Sequence, residues 1–330
     1  MKKVRILSID GGGIRGIIPA VILAYIEEEL QRKTKNDAAR LADYFDMIAG
    51  TSTGGILTTL YLMPDDKQRS KYQAKEAIEL YKKHGKDIFD KNRTLTGAKY
   101  SEKGLERILK EKFGNFRLSE TRKHCVITAY DITNRDAVFF TTPEAKNSKD
   151  RDYYMRDVAR ATSAAPTYFT PTKITPLSGN PELCLVDGGM FANDPSLSAI
   201  VEARKTDFPS QSKPNFENLY VVSVGTGKVE KPYEYDKARK WGLLLWIKPV
   251  IDILMSSSAE VTGYQVQKIF EAIGCAKNYE RIEPALGEAS TDMDNASNNN
   301  IANLEKAGKD YVEQNKKQLD TIVDMLIANA

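Results

Sequence analysis

Six residues, Gly50-Thr51-Ser52-Thr53-Gly54-Gly55, have the types and spacing that nucleophilic chemistry needs. The hydrophobic run Tyr44-Phe45-Asp46-Met47-Ile48-Ala49 enters this stretch, and Ile56-Leu57-Thr58-Thr59-Leu60-Tyr61-Leu62 leaves it. The pattern reads as a buried strand, a tight turn and a buried helix, and Gly-x-Ser-x-Gly at such a junction is the nucleophile elbow. Glycines on either side let the backbone bend without a Cβ clash. The bend presents the Ser52 hydroxyl at a helix N-terminus, where N–H groups and the dipole favour negative charge. A chemically idle glycine turn has the same pattern, so the rest of the chain must decide.

A serine nucleophile needs a base, and the usual hydrolase order is Ser, then acid, then His. The chain has two histidines, His84 in a basic helical segment and His124 at a strand entry, and none after position 124. That order is therefore excluded, and structural or solvated roles suit both histidines. A carboxylate remains. Asp187 ends the strand-like run Leu183-Cys184-Leu185-Val186 and precedes Gly188-Gly189, which would place it at the carboxyl edge of a sheet. Its competing role is to open an Asp-Gly turn. Among the rivals, Asp131 falls at a hairpin, Asp194 reads as a helix cap before Pro195, and Asp46 lies inside a strand.

A second glycine-rich loop, Asp10-Gly11-Gly12-Gly13-Ile14-Arg15-Gly16, follows the first strand. Gly11-x-Gly13-x-x-Gly16 fits a dinucleotide fingerprint, which also wants an acid at the end of the next strand. That place is held by Ser52. The alternative is an oxyanion hole, in which N–H groups of Gly11, Gly12 and Gly13 face Ser52 and Thr53 adds its own. Arg15 at the end of the loop would support it by packing or ion pairing.

The elements that must position these groups alternate between strand and helix. Expected strands are 4–9, 44–50, 125–132, 137–142, 182–186 and 218–224; expected helices are 17–32, 74–86, 102–113, 154–163, 195–204, 257–273 and 301–327. Residues 143–152 and 287–300 read as loops, and Gly242 to Met255 is the most apolar stretch, interrupted at Lys248-Pro249. The opening reads as a right-handed parallel βαβ unit. With no repeat and no clear break, residues 1–330 are expected to form a single α/β domain around a mainly parallel sheet.

Composition limits the function classes. At 330 residues the chain is 41% hydrophobic and 28% charged, with a net charge of +3, which argues against a dedicated nucleic-acid binder. Charge is unevenly spread: 17 Lys/Arg against 10 Asp/Glu over 65–123, and 4 against 9 over 283–330. The basic segment reads as solvated helix faces or as a surface favouring anionic lipid. Cys125, Cys184 and Cys275 lack metal spacing and suit a reducing compartment. No apolar leader and no 18-residue apolar run is seen, so a cytoplasmic location with peripheral membrane contact is expected.

Three blocks, Ser8 to Gly16, Gly50 to Gly55 and Asp187-Gly188-Gly189, resemble the signatures of the patatin-like phospholipases. Ala161-Thr162-Ser163-Ala164-Ala165-Pro166-Thr167-Tyr168-Phe169, Leu41 to Asp46 and Val224-Gly225-Thr226-Gly227 resemble further family stretches. The likeness spans nearly the whole chain and is nearer to the plant storage patatins than to the shorter bacterial toxins. It departs from them in showing no signal peptide, in Asp187-Gly188-Gly189 where Asp-Gly-Ala is frequent, and in a short last helix. The resemblance implies a three-layer α/β/α sandwich. It also implies a calcium-independent lipid acyl hydrolase of phospholipase A, galactolipase or esterase type, with a Ser52–Asp187 dyad and no cofactor or metal. Asp292-x-Asp294 begins like a calcium loop, but Ala296 breaks the spacing.

On this reading Asp187 takes the Ser52 proton and later activates water. Its pKa is raised by a dry pocket lined partly by Ile14, Ile17 and Phe169. Membrane glycerolipids are the implied substrate. Leu243-Leu244-Leu245-Trp246-Ile247, flanked by Lys240 and Lys248, is a candidate interfacial contact, or else a core helix. A catalytically weak storage or lipid-binding protein, and a nucleotide-binding module using Gly11–Gly16, are the alternatives.

Overall fold

Runs of residues buried on both faces set the middle of the molecule. The chain is described by a computed structural model over residues 2–92 and 97–330, so part of the loop expected between 86 and 102 lies outside the described residues. Strands β1 (Val4–Ile9), β2 (Met47–Gly50), β3 (His124–Asp131), β4 (Asp136–Thr141), β5 (Thr172–Ile174), β6 (Leu183–Asp187), β7 (Leu219–Val224) and β8 (Tyr279–Ile282) form one sheet of eight among the described residues. β3, β2, β1, β7 and β8 run parallel in that order. All six residues of β1 and of β7 are buried, as strands covered on both faces require.

Helices cover both faces. They are α1 (Ile17–Thr34), α2 (Leu41–Tyr44), α3 (Thr53–Leu62), α4 (Glu76–Ile88), α5 (Glu102–Phe113), α6 (Thr142–Asn147), α7 (Met155–Thr162), α8 (Gly189–Ala192), α9 (Ser196–Lys205), α10 (Tyr235–Ala238), α11 (Leu243–Ala272), α12 (Asn298–Gln314) and α13 (Lys316–Ala328). The period of two along β1 divides its side chains. Leu7 and Ile9 pack with Ile18 and Ile22 of α1, Leu304 of α12 and Leu319 of α13. Val4 and Ile6 pack with Ala199 and Ile200 of α9 and with Val266 and Phe270 of α11. The result is a three-layer α/β/α sandwich.

Several elements differ from expectation. Residues 41–44 form a helical turn, so β2 begins only at Met47. β5 and β8 are three and four residues long, too short to leave a readable pattern. The loop expected at 143–152 opens with α6, which has Thr141 as its cap. The expected terminal helix is two, divided at Asn315, whose Nδ2 donates to the Tyr311 carbonyl (2.9 Å). α11 runs 30 residues and continues past Pro249, the residue that interrupts its apolar N-terminal stretch.

One feature of the register positions the site. β4 takes one edge of β3, while β2 and β6 share the other. Gly50 of β2 pairs with Ile127, and Asp187 of β6 pairs with Ala129. β2 runs parallel to β3 and β6 antiparallel, so their carboxyl ends face each other across Thr128. Ser52 and Asp187, 135 positions apart, are each one step from that gap.

Candidate active site

Ser52 adopts φ 55° and ψ −120° at the start of α3. A positive φ is uncommon for a residue with a side chain and persists only where surrounding contacts enforce it. They do so here. The Ser52 N–H donates to Thr162 Oγ1 (2.8 Å), Thr51 Oγ1 lies 2.6 Å from the Ala192 carbonyl, and it also pairs with Thr128 Oγ1 (2.8 Å). Gly54 lies so close to β1 that a Cβ there would stand 2.1 Å from the Ile9 carbonyl oxygen.

Asp187 is 1% exposed. Its Oδ1 accepts the Gly189 N–H at 2.7 Å, whereas Oδ2 is buried without a well-formed hydrogen bond. Burial raises its pKa to about 7; the Ser52 hydroxyl and the Gly189 N–H stabilise the carboxylate and pull the other way. A nucleophile–base contact that is loose before substrate arrives is ordinary for an empty site. The rival carboxylates are committed elsewhere. Asp131 accepts two backbone N–H groups and the Asn134 side chain of its own turn. Asp46 is held in a two-pronged pair by Arg5. Asp194 caps α9 through the Ser196 N–H (2.8 Å) and binds Ser8, Ser223 and Arg281.

Ser52 and Asp187 line a narrow cavity of about 50 Å³ together with Gly13, Thr53, Phe169 and Met255. Ile14 and Ile17, expected in this lining, are instead fully buried in the core beneath the loop. His84 is buried on α4 and His124 packs edge-on against Phe208 (5.0 Å); neither lines this cavity.

The first glycine loop divides in its use. The Gly11 N–H is donated to the Asn193 carbonyl (3.0 Å), so it has no proton left for an oxyanion. The N–H groups of Gly12, Gly13 and Thr53 have no acceptor among the described residues. Arg15 Nε contacts the Gly12 carbonyl at 3.5 Å. Asn193, Thr226 and Met293 press on Gly11, Gly12 and Gly13 in turn, within 2.3 Å of where a Cβ would stand. These contacts leave no room for a side chain at Gly11, Gly12 or Gly13.

A family model described as "Patatin-like phospholipase" matches residues 7–200. That segment contains the glycine loop, the elbow and Asp187. The chain belongs to the patatin-like phospholipase family. It is 36% identical over 350 residues to Patatin-like protein 2 of Oryza sativa subsp. indica, covering 97% of this chain and 86% of the relative. It is 36% identical to Patatin-T5 of Solanum tuberosum and 37% identical to Patatin-17 of Solanum cardiophyllum, each over 95% of this chain and 84% of the relative. The crystal structure of VipD from Legionella pneumophila aligns with 97% of this chain and 67% of its own at 12% identity and a TM-score of 0.42.

This patatin-like site also contains residues that reading by motif passes over. Thr162 binds the Ser52 N–H, and the Tyr81 hydroxyl bonds Thr53 Oγ1 at the cavity wall. Thr162 lies in the Ala161–Phe169 block, but nothing in that block's composition indicates a hydrogen bond to the Ser52 N–H. Tyr81, Met255 and Met293 come from regions with no motif, and only their apolar character hints at burial.

Proposed function

We propose that this protein is a serine lipid acyl hydrolase acting through Ser52 and Asp187. The observation that carries the reading is the conjunction of Ser52 at a strained elbow with a buried aspartate of pKa about 7 in one apolar cavity. At neutral pH a substantial share of Asp187 is deprotonated, and its basicity matches the task. Asp187 accepts the Ser52 proton as Oγ attacks the ester carbonyl. The tetrahedral oxyanion is met by N–H groups of Gly12, Gly13 and Thr53, each worth about 3 kcal/mol if aligned. The C–O bond to the alcohol breaks, the proton passes to that oxygen, and the acyl group stays on Ser52. Asp187 then deprotonates a water, whose attack releases the fatty acid and restores Ser52.

Glycerolipid esters are the proposed substrates, and calcium has no part in the proposed steps. The cavity is much smaller than an acyl chain, so the chain enters by displacing Met255 and Met293, flexible side chains suited to that adjustment. Lipid reaches it from the α11 side, where Leu243 and Leu244 are more than 80% exposed. The test is fatty-acid release from diacylphospholipid vesicles, followed by mass spectrometry in EDTA and in calcium. Equal release in both, abolished in Ser52→Ala, is expected. Release that survives Ser52→Ala, or that requires calcium, contradicts the reading.

A further inference from the structure

Three consecutive residues at the end of α7 tie together the two strands that bring Ser52 and Asp187 into one cavity. Thr162 Oγ1 accepts the Ser52 N–H (2.8 Å), and the Ala164 carbonyl accepts the Asp187 N–H (3.1 Å). Ser163, between them, caps the C-terminus of α7 and lines the same cavity as Ser52 and Asp187. Its two neighbours therefore fix its place relative to both groups.

Two buried oxygens of this lining are unpaired among the described residues. Ser163 is 7% exposed and its Oγ has no hydrogen-bond partner; Asp187 Oδ2 has none that is well formed. The other polar groups nearby are engaged. Thr53 and Tyr81 bond each other through their hydroxyls, and Asp187 Oδ1 takes the Gly189 N–H. Ile88, Phe89, Phe169 and Met255, elsewhere in the lining, offer no polar atom to meet the unpaired oxygens. Burying a polar atom without a partner is costly, so this pair marks a place for a small molecule with two hydrogens to give. Water is such a molecule. The cavity holds about 50 Å³, whereas one water needs roughly 10–15 Å³ and at least two polar partners.

We infer that Ser163 is a catalytic residue of the second half-reaction: its Oγ and Asp187 Oδ2 together hold the water that releases the acyl group from Ser52. The inference rests on the acyl-hydrolase reading above and adds a group to the same site. The water gives one hydrogen to each oxygen, which leaves a lone pair for the acyl carbon. Asp187 Oδ2 takes its hydrogen as a proton while the water oxygen bonds that carbon. The bond to Ser52 Oγ then breaks, the proton passes from Asp187 to Ser52 Oγ, and the fatty acid leaves. Ser163 keeps its own proton throughout.

The first half-reaction gives Ser163 no such part. The oxygen that departs then belongs to an alcohol, whose second substituent is carbon, so it has no second hydrogen to give. The Ser163 hydroxyl therefore favours water over an alcohol as the molecule that attacks the acyl-enzyme.

Partition of the acyl-enzyme tests this. The wild type, Ser163→Ala and Ser163→Cys are each given p-nitrophenyl butyrate in buffer containing methanol, and butyric acid and methyl butyrate are quantified. The ratio of methyl ester to acid is expected to rise about tenfold in Ser163→Ala, the effect of one lost hydrogen bond. It is expected to rise in Ser163→Cys as well, because a thiol is close in size to a hydroxyl but bonds water weakly. A rise confined to Ser163→Ala would mean only that methanol has gained room, and overturns the role. Fluorophosphonate labelling of Ser52, in which no water attacks, is measured alongside. A ratio unchanged in both variants overturns the role whether labelling is kept or lost, since a hydroxyl that merely packs α7 slows both products alike. Failure of the hydrolase reading looks different: a wild type that neither cleaves the ester nor takes the label overturns that reading and the role of Ser163 with it.

Discussion

Ser52 and Asp187 each carry a local cost: a strained backbone and a buried carboxyl. Ser52 sits at positive φ, and Asp187 has its carboxyl taken out of water with one oxygen unserved. The pKa of about 7 has two consequences. Activity on a soluble ester rises with slope one as pH increases and levels above about 7, whereas an exposed aspartate would level near 4. A pH profile of kcat/KM checks this. The second consequence concerns stability. The folded protein holds the Asp187 proton more tightly than the unfolded chain, so its contribution to stability is fully present below about pH 4 and is lost as pH rises to about 7. Asp187→Asn removes that loss. It is expected to lower kcat at least about 10³-fold and yet to raise stability at pH 8 by up to about 4 kcal/mol. The gain should vanish near pH 4, as read from chemical denaturation at the two pH values. That Ser52 and Asp187 belong to one candidate site was legible because type and spacing mark them: a serine between glycines, no histidine downstream, an aspartate before two glycines. Which N–H groups are free was not, because the loss of Gly11 to the Asn193 carbonyl is a contact 182 positions away that no local pattern encodes.

Among the elements, α11 does the most varied work. Its C-terminal half packs Val266 and Phe270 under the sheet, its middle places Met255 against the Ser52 cavity, and its N-terminal half stands out with Leu243, Leu244 and Leu245 exposed. Trp246 stacks edge-on against Trp241 at 5.1 Å, and Trp241 against Tyr233 at 5.4 Å. An exposed apolar cluster on the helix that also lines the Ser52 cavity, with Lys240 and Lys248 at its flanks, suits insertion among lipid chains. Leu244→Asp combined with Trp246→Ala is expected to lower partition onto phospholipid vesicles at least about tenfold while leaving hydrolysis of a soluble ester near its original rate. Parallel loss of both would assign these residues to the core instead. The apolar run was plain in the sequence, but its direction was not. Nothing in Leu243 to Ile247 distinguishes a buried helix from an exposed one, since the difference lies in what the rest of the chain packs there. β5 and β8 were missed for another reason: three or four residues cannot display a period.

At the level of the molecule, the sheet is what brings the distant Ser52 and Asp187 together. The sequence suggested Asp187 at the carboxyl edge of a mainly parallel sheet, with no direction for its own strand. β6 in fact runs antiparallel on the edge of β3 that β2 also occupies, and the two carboxyl ends meet at Thr128. Strand direction is set by the chain's path between elements, so composition and period leave it open. The charge asymmetry also resolves at this scale. Lys82 pairs with Glu305 and Lys99 with Asp294, so part of the basic segment is answered by the acidic end of the chain rather than by a lipid surface. Among the described residues no helix is long and apolar enough to cross a membrane. Because Ser52 and Asp187 meet only where β2 and β6 share an edge of β3, the proposed reactivity of Ser52 reports on the whole arrangement. The most direct test is labelling of the folded protein with a fluorophosphonate, followed by peptide mass mapping, in the wild type and in Asp187→Ala. The account predicts one adduct, on Ser52, lost or greatly slowed in Asp187→Ala. An adduct on another residue, or labelling of Ser52 at an undiminished rate without Asp187, would contradict it.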